Sequence, residues 1–219
     1  GGLILRYESG TFTTMNTPGT DTVFGIWGAS PNDLWAVGGN GAAAGGFAWR
    51  SSGGDWSEEP TLPADTSATG AIWKVSGTGP DDAWLVGSSG ISLHWDGSAL
   101  EQRDTGVGSS LFTVDAGDDG YIAVGGAATG IILEYRDGTW TNEAPEPPPP
   151  GLSGVAVGED DFAVAVDVSC LPSRATGKGW EVSCDITEAQ LNANVAKNDL
   201  NIGMEVLDEW DQKLVEDAT

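Results

Sequence analysis

The chain has 219 residues, with 9 Lys and Arg against 33 Asp and Glu, for a formal net charge of −24. At roughly 100–200 residues per domain it holds one or two domains, and it lacks the clustered basic residues that neutralise phosphates, which excludes nucleic-acid binding. The same charge opposes docking on anionic lipid, and no stretch approaches the ~20 apolar residues of a membrane span.

Ten Trp and 33 Gly alongside 19% charged residues describe a folded, aromatic-rich chain rather than a disordered acidic one. Gly1 is not an initiator Met and no basic-then-apolar leader stands before it, so the compartment has to be read from the cysteines.

In chain order, residues 3–16 contain Leu5-Arg-Tyr-Glu-Ser-Gly-Thr-Phe-Thr13, an apolar strand, an aromatic, a Ser-Gly turn and a second strand. The same sequence of features recurs from Ala48 to Ser57, from Leu93 to Leu100 and from Leu133 to Thr141. Asp-Gly and Ser-Gly between β-rich runs signal hairpins, because both residues accept the positive φ of tight turns. Between these copies lies another motif. Val23-Phe-Gly-Ile-Trp-Gly-Ala-Ser-Pro-Asn-Asp-Leu-Trp-Ala-Val-Gly38 returns as Ile72-Trp-Lys-Val-Ser-Gly-Thr-Gly-Pro-Asp-Asp-Ala-Trp-Leu-Val-Gly87. It is shortened at Leu111–Gly125 and degraded at 152–167. Two hairpins every ~40–50 residues is the repeat of a β-propeller blade.

Three full blades are expected, at about 23–58, 71–103 and 110–142. Residues 3–16 then supply a lone second hairpin and 152–167 a lone first one. Their union would form a composite blade, close a ring of four and leave no free sheet edge. The competing expectation is a piece of a larger ring. Asn142-Glu-Ala-Pro-Glu-Pro-Pro-Pro-Pro150 reads as a stiff polyproline connection between blades, with a domain boundary or a ligand for a proline-binding partner as rivals.

Residues 169–219 form a second segment. Cys170 and Cys184 are the sole cysteines and fit no zinc or CxxC spacing, which leaves a disulfide or two free thiols; a disulfide is expected, and with it an oxidising compartment. Thr187-Glu-Ala-Gln190 reads as a capping box. Leu200, Met204, Leu207, Trp210 and Leu214 then follow at helical spacing, on a helix from about 187 to 217 that Gly203 can divide into two. The fold class expected is all-β, a propeller of about four blades or a fragment of a larger one over 1–168, plus this helical segment.

The Trp-Gly-Ala-Ser-Pro-Asn-Asp-Leu-Trp-Ala-Val-Gly and His-Trp-Asp-Gly motifs resemble the Trp-rich repeats of bacterial secreted or lipoprotein β-propellers, and distantly those of Asp-box propellers. The resemblance covers residues 3–167 and stops there. The fourth repeat departs from it, lacking the Trp-Gly and Trp-Ala-Val-Gly elements. It implies the fold and is nearly silent on activity, since propellers host enzymes, lectins and scaffolds alike.

Catalytic chemistry finds little material. His94 is the only histidine and occupies the repeat slot held elsewhere by Arg6, Ala48 and Glu134, a structural position. Arg6, Arg50 and Arg136 fall near equivalent points of different blades, where they cannot converge on one substrate carboxylate. Asn32-Asp33, Asp81-Asp82, Asp118-Asp119 and Asp160-Asp161 lie at hairpin turns, which Asn and Asp stabilise through side-chain to backbone bonds. Their functional rival is calcium, best placed at Asp115, Asp118 and Asp119. Gly38-Gly-Asn-Gly41 and Gly125-Gly126 read as strand ends without the Lys-Ser/Thr of a phosphate loop. Trp27, Trp35, Trp73 and Trp84 read as inter-blade packing, with a sugar platform as the alternative.

The function expected is that of a non-enzymatic, extracytoplasmic interaction or assembly module. The stripe Leu200, Met204, Leu207, Trp210 and Leu214 has to be buried, either against the chain's own propeller or on a protein partner or a second copy, since Trp and Met are enriched at interface centres. A carbohydrate-binding or glycan-processing propeller is the alternative. No cofactor is implied beyond calcium.

Overall fold

The computed structural model describes residues 2–40, 45–58, 60–67, 70–117, 120–158, 162–167, 173–176 and 179–182, all within one compact unit, Gly1–Val182. Strands β1 (Ile4–Glu8) and β2 (Thr11–Met15) make a two-stranded sheet. The first blade follows as β3 (Thr22–Ser30), β4 (Asp33–Gly39) and β5 (Phe47–Ser51), with an Arg50–Ser57 bridge on the outer side of β5. After a helical turn α1 (Ala64–Ser67), the second blade is β6 (Ile72–Gly79), β7 (Asp82–Gly87), β8 (Ser92–Trp95) and β9 (Leu100–Gln102). The third is β10 (Leu111–Ala116), β11 (Tyr121–Gly125), β12 (Ile131–Arg136) and β13 (Thr139–Asn142). The fourth is β14 (Leu152–Val157), β15 (Ala163–Asp167), β16 (Ser173–Thr176) and β17 (Gly179–Val182). Within each sheet, consecutive strands pair antiparallel.

The middle strand β7 shows why the repeats hold together. Ala83, Trp84, Leu85 and Val86 are all fully buried, a continuous apolar run where a half-exposed strand would alternate, because neighbouring blades cover both faces of the sheet. Trp35, Val37 and Ala48 of the first blade pack on Ile72, Val75, Leu85 and Leu93 of the second. Trp84 and Val86 pack on Leu111, Val114, Ala123 and Leu133 of the third, and Val124 and Ile132 on Leu152, Ala163 and Ala165 of the fourth. Each large side chain buried this way contributes about 1.5–3 kcal/mol.

Turn chemistry sets the hairpins. Ser9-Gly10 and Asp137-Gly138 both adopt positive φ at each residue, 51° and 83°, then 54° and 87°, the geometry that matches the right-handed twist of the flanking strands. In the second blade the Asp96 carboxylate accepts from the backbone of Ser98 and Ala99 at 2.8 and 2.9 Å and from the Ser98 hydroxyl at 2.7 Å. Asp96 is thereby held at about 2, by the Ser98 hydroxyl first and the two backbone amides next. The proline run leads from β13 to β14 as a connection between blades, and Gly130 N donates to Pro149 O at 2.7 Å.

Two expectations are corrected. Residues 3–16 do not join 152–167 in a composite blade: among the described residues β1 and β2 pair only with each other, and β14–β15 are completed by β16–β17. These two strands lie beyond residue 168 and continue the fourth sheet. The slot of His94 is held by Arg50 and not by Ala48, because His94 opposes Trp84 as Arg50 opposes Trp35. Cys170, Cys184, the capping box and the helical stripe lie outside the described residues.

Candidate functional site

The first strand of every blade opens with the same irregularity. Register shifts fall between Val23 and Gly25, Ile72 and Lys74, Leu111 and Thr113, and Leu152 and Gly154. Each is a bulge that inserts one extra residue and re-aims its side chain. The inserted residues are Phe24, Trp73, Phe112 and Ser153. Because these four strands lie side by side as the innermost of their blades, their bulges line up. Phe24 and Trp73 meet at 4.6 Å between ring centroids, and Trp73 and Phe112 at 6.1 Å. Phe24 is exposed, the other two half-buried, and Trp73 Nε1 is buried without a hydrogen-bond partner among the described residues.

Lys74 follows Trp73 on this surface. Arg6 pairs with Glu8, Arg50 with Asp33, Arg103 with Glu101 and Arg136 with Glu134, whereas Lys74 makes no ion pair among the described residues. An aromatic row beside an uncommitted ammonium can hold an extended peptide through apolar contact and one charge-assisted hydrogen bond. Sequence reasoning took Trp73 for packing and passed over Phe24, Phe112 and Lys74. The available signal was an aromatic immediately after the first apolar residue of three successive repeats.

The remaining polar groups knit blades together. Asp82 accepts from Thr78 and from Tyr121 of the next blade, the latter at 2.7 Å, and bonds His94 Nε2 at 2.8 Å. Burial pushes this carboxylate upward, but the hydrogen bonds from Thr78, Tyr121 and His94 outweigh it, so Asp82 stays below the usual range. Burial, and then Asp82 itself, push the Tyr121 phenol well above its ordinary value. His94 also stacks on Trp84 at 4.6 Å. Arg50 lies over Trp35 and Trp95 at 5.0 and 4.8 Å while pairing with Asp33 at 2.8 Å. Both sites are the same structural device in successive blades.

Asp115, from the calcium set, bridges three blades: Ser76 Oγ donates to one oxygen at 3.1 Å and Val157 N to the other at 3.0 Å. Asp118 and Asp119 lie outside the described residues, among which no group of three His, Cys, Asp or Glu side chains comes together to hold a metal ion. Trp35 and Trp84 are fully buried between blades and Trp27 packs against the first interface, which leaves Trp73 as the member of that set at the row. The interface stripe Leu200, Met204, Leu207, Trp210 and Leu214 is outside the described region.

No protein-family profile and no curated protein sequence matches this chain. Solved structures do match, among them the following two. One is described as YCF48 bound to D1 peptide, with 22% identity over 80% of this chain and 56% of that one, at a TM-score of 0.59. The other is YCF48 from Cyanidioschyzon merolae, with 16% identity over 78% of this chain and 59% of that one, at a TM-score of 0.56. The fold is that of a β-propeller. The chain spans a little over half the length of the two structures it matches, and at these identities the likeness is one of fold.

Proposed function

We propose that this chain is a non-enzymatic protein-interaction and assembly module working outside the cytoplasm, and that it holds an extended segment of a partner protein along its innermost strands. The observation that carries this reading is the row Phe24, Trp73 and Phe112, with Lys74 next in the chain and in no ion pair among the described residues. A similar propeller is described with a peptide bound. The resemblance of the repeats to bacterial secreted propellers and the pair Cys170 and Cys184 support the compartment.

A peptide array probed with the labelled chain tests the reading. Trp73→Ala and Phe112→Ala are expected to lose tenfold or more in affinity, about 1.4 kcal/mol, with little change in melting temperature. A glycan array run in parallel decides against it if sugars bind, peptides do not, and Trp73→Ala abolishes the sugar binding. Denaturing, non-reducing mass spectrometry tests the compartment: a Cys170–Cys184 crosslink is expected, and two alkylatable thiols in protein isolated without reductant would remove that support.

A further inference from the structure

The four innermost strands are nearly free of charge. In a chain of net charge −24, β3, β6, β10 and β14 carry one basic residue, Lys74, and one acidic residue, Asp115. The acid is committed. One oxygen of Asp115 accepts from Ser76 and the other from the backbone of Val157, which ties the second blade to the third and the third to the fourth. Lys74 is half-buried and in no ion pair among the described residues. An ammonium that has lost part of its water gains more from a carboxylate than an exposed one does, because the local dielectric is lower.

Register shows where Lys74 stands. Gly25, Lys74, Thr113 and Gly154 follow the four bulges and oppose Val37, Val86, Val124 and Val166. Thr113 Oγ1 donates at 2.8 Å to the carbonyl of Ser153, the bulge residue of the next blade. A Cβ at Gly25 would stand 3.1 Å from the carbonyl of Trp73, again the bulge residue of the next blade. The position therefore faces the neighbouring bulge, and for the second blade that neighbour is Phe112. By this equivalence Lys74 falls inside the row, with Phe24 and Trp73 on one side and Phe112 on the other. The two steps between ring centroids, 4.6 and 6.1 Å, match roughly three residues of extended chain at about 3.3 Å each.

We propose that Lys74 selects the segment bound along the row, and that this segment carries one acidic side chain within or next to a stretch of about three apolar residues. The inference rests on the reading of the row as a peptide site. The apolar residues cover Phe24, Trp73 and Phe112, and the carboxylate accepts a charge-assisted hydrogen bond from the Lys74 ammonium. Because aromatic rings continue past Lys74 on both sides, the bound chain runs on beyond it, and the carboxylate belongs to a side chain and not to a chain end. Discrimination works in two directions. A basic residue in that place would face the ammonium, and a run of acids would meet the field of a molecule of net charge −24.

The probes are labelled synthetic peptides blocked at both ends, in which Leu-Phe-Leu, set in Gly and Ser, is preceded or followed by Glu, Gln or Lys. They are titrated against the whole 219-residue protein. The parent is expected to bind the Glu peptides about tenfold more tightly than the Gln peptides, as one hydrogen bond to a charged group provides, and the Lys peptides least. Lys74→Arg should keep this preference, Lys74→Met should erase it while melting with the parent, and Lys74→Glu should transfer it to the Lys peptides. That transfer separates selection by charge from a structural role for Lys74. Equal affinity for Glu and Gln peptides, or a Glu preference that survives in Lys74→Met, overturns the inference. So does a preference confined to a peptide that ends in a free carboxylate. Peptides that bind whatever the flanking charge, and are lost in Trp73→Ala, leave the row as a peptide site and remove only the role of Lys74. No binding by any peptide, or binding that Trp73→Ala leaves unchanged, removes both.

Discussion

Asp82 holds Thr78 and His94 of its own blade and Tyr121 of the next with a single carboxylate. Its ionised form is favoured by the fold, so its contribution is complete above the ordinary value of 3.8 and disappears as pH falls below that toward its depressed native value. Tyr121 runs the other way. Its phenol is raised by burial and by Asp82, so its contribution is complete below the ordinary value of 10.0 and is lost as pH rises beyond it. Tyr121→Phe should cost about 1 kcal/mol near neutral pH, at the low end for a hydrogen bond to a charge because the carboxylate is partly solvated. Thermal melts from pH 2 to pH 11 should show the alkaline loss of stability reduced in Tyr121→Phe and the acid loss reduced in Asp82→Asn. A deeper effect is expected at Trp84, fully buried among His94, Tyr121, Tyr135 and Trp140. Trp84→Ala should lower unfolding free energy by about 3–5 kcal/mol in a denaturant titration.

At the scale of the hairpin, the turn Asp137-Gly138 controls how β12 meets β13. A side chain at Gly138 meets no neighbouring atom but must accept a φ of +87°, so Gly138→Ala should destabilise by about 1 kcal/mol or more through backbone strain alone. Gly108 is equally open and has no positive φ. Gly108→Ala should stay within about 0.5 kcal/mol of the parent or gain slightly, and paired melting curves of the two variants check the contrast. These hairpins were readable in the sequence because Ser-Gly and Asp-Gly announce the turn directly. The bulges were not, since Val23-Phe-Gly and Ile72-Trp-Lys align residue for residue and an insertion common to every copy leaves no gap. The candidate site was hidden for the same reason: without the bulge, nothing distinguishes Phe24, Trp73 and Phe112 from core aromatics. The outer hairpin of the fourth blade was obscured by the neighbouring cysteines, although Gly177-Lys-Gly-Trp180 places Gly shortly before Trp, as Gly138-Thr-Trp140 does. The Arg50 slot was misplaced because β5 aligns by pairing with β4 and not by the position of its first aromatic.

Over the whole described unit, every blade is formed by strands adjacent in sequence and leans only on its neighbours. The apolar positions report this gradient. Val37, Val86 and Val124 are fully buried, and their counterpart Val166 on the last blade is 42% exposed. Such an array behaves as a row of nearest-neighbour couplings, in which a unit covered on both faces is held more firmly than one covered on a single face. Its opening free energies should therefore be graded along the chain and not shared equally. Amide hydrogen exchange should be slowest in β7 and β11, faster in β15, and fastest in β1 and β2, whose amides open without disturbing the second blade. A single uniform protection factor across all these strands would mean that the blades unfold as one cooperative body. With graded protection, the N-terminal hairpin samples an open state while the rest stays folded. A proteolytic nick would then appear first near Gly10, and heat would release β1 and β2 before it melts the second and third blades.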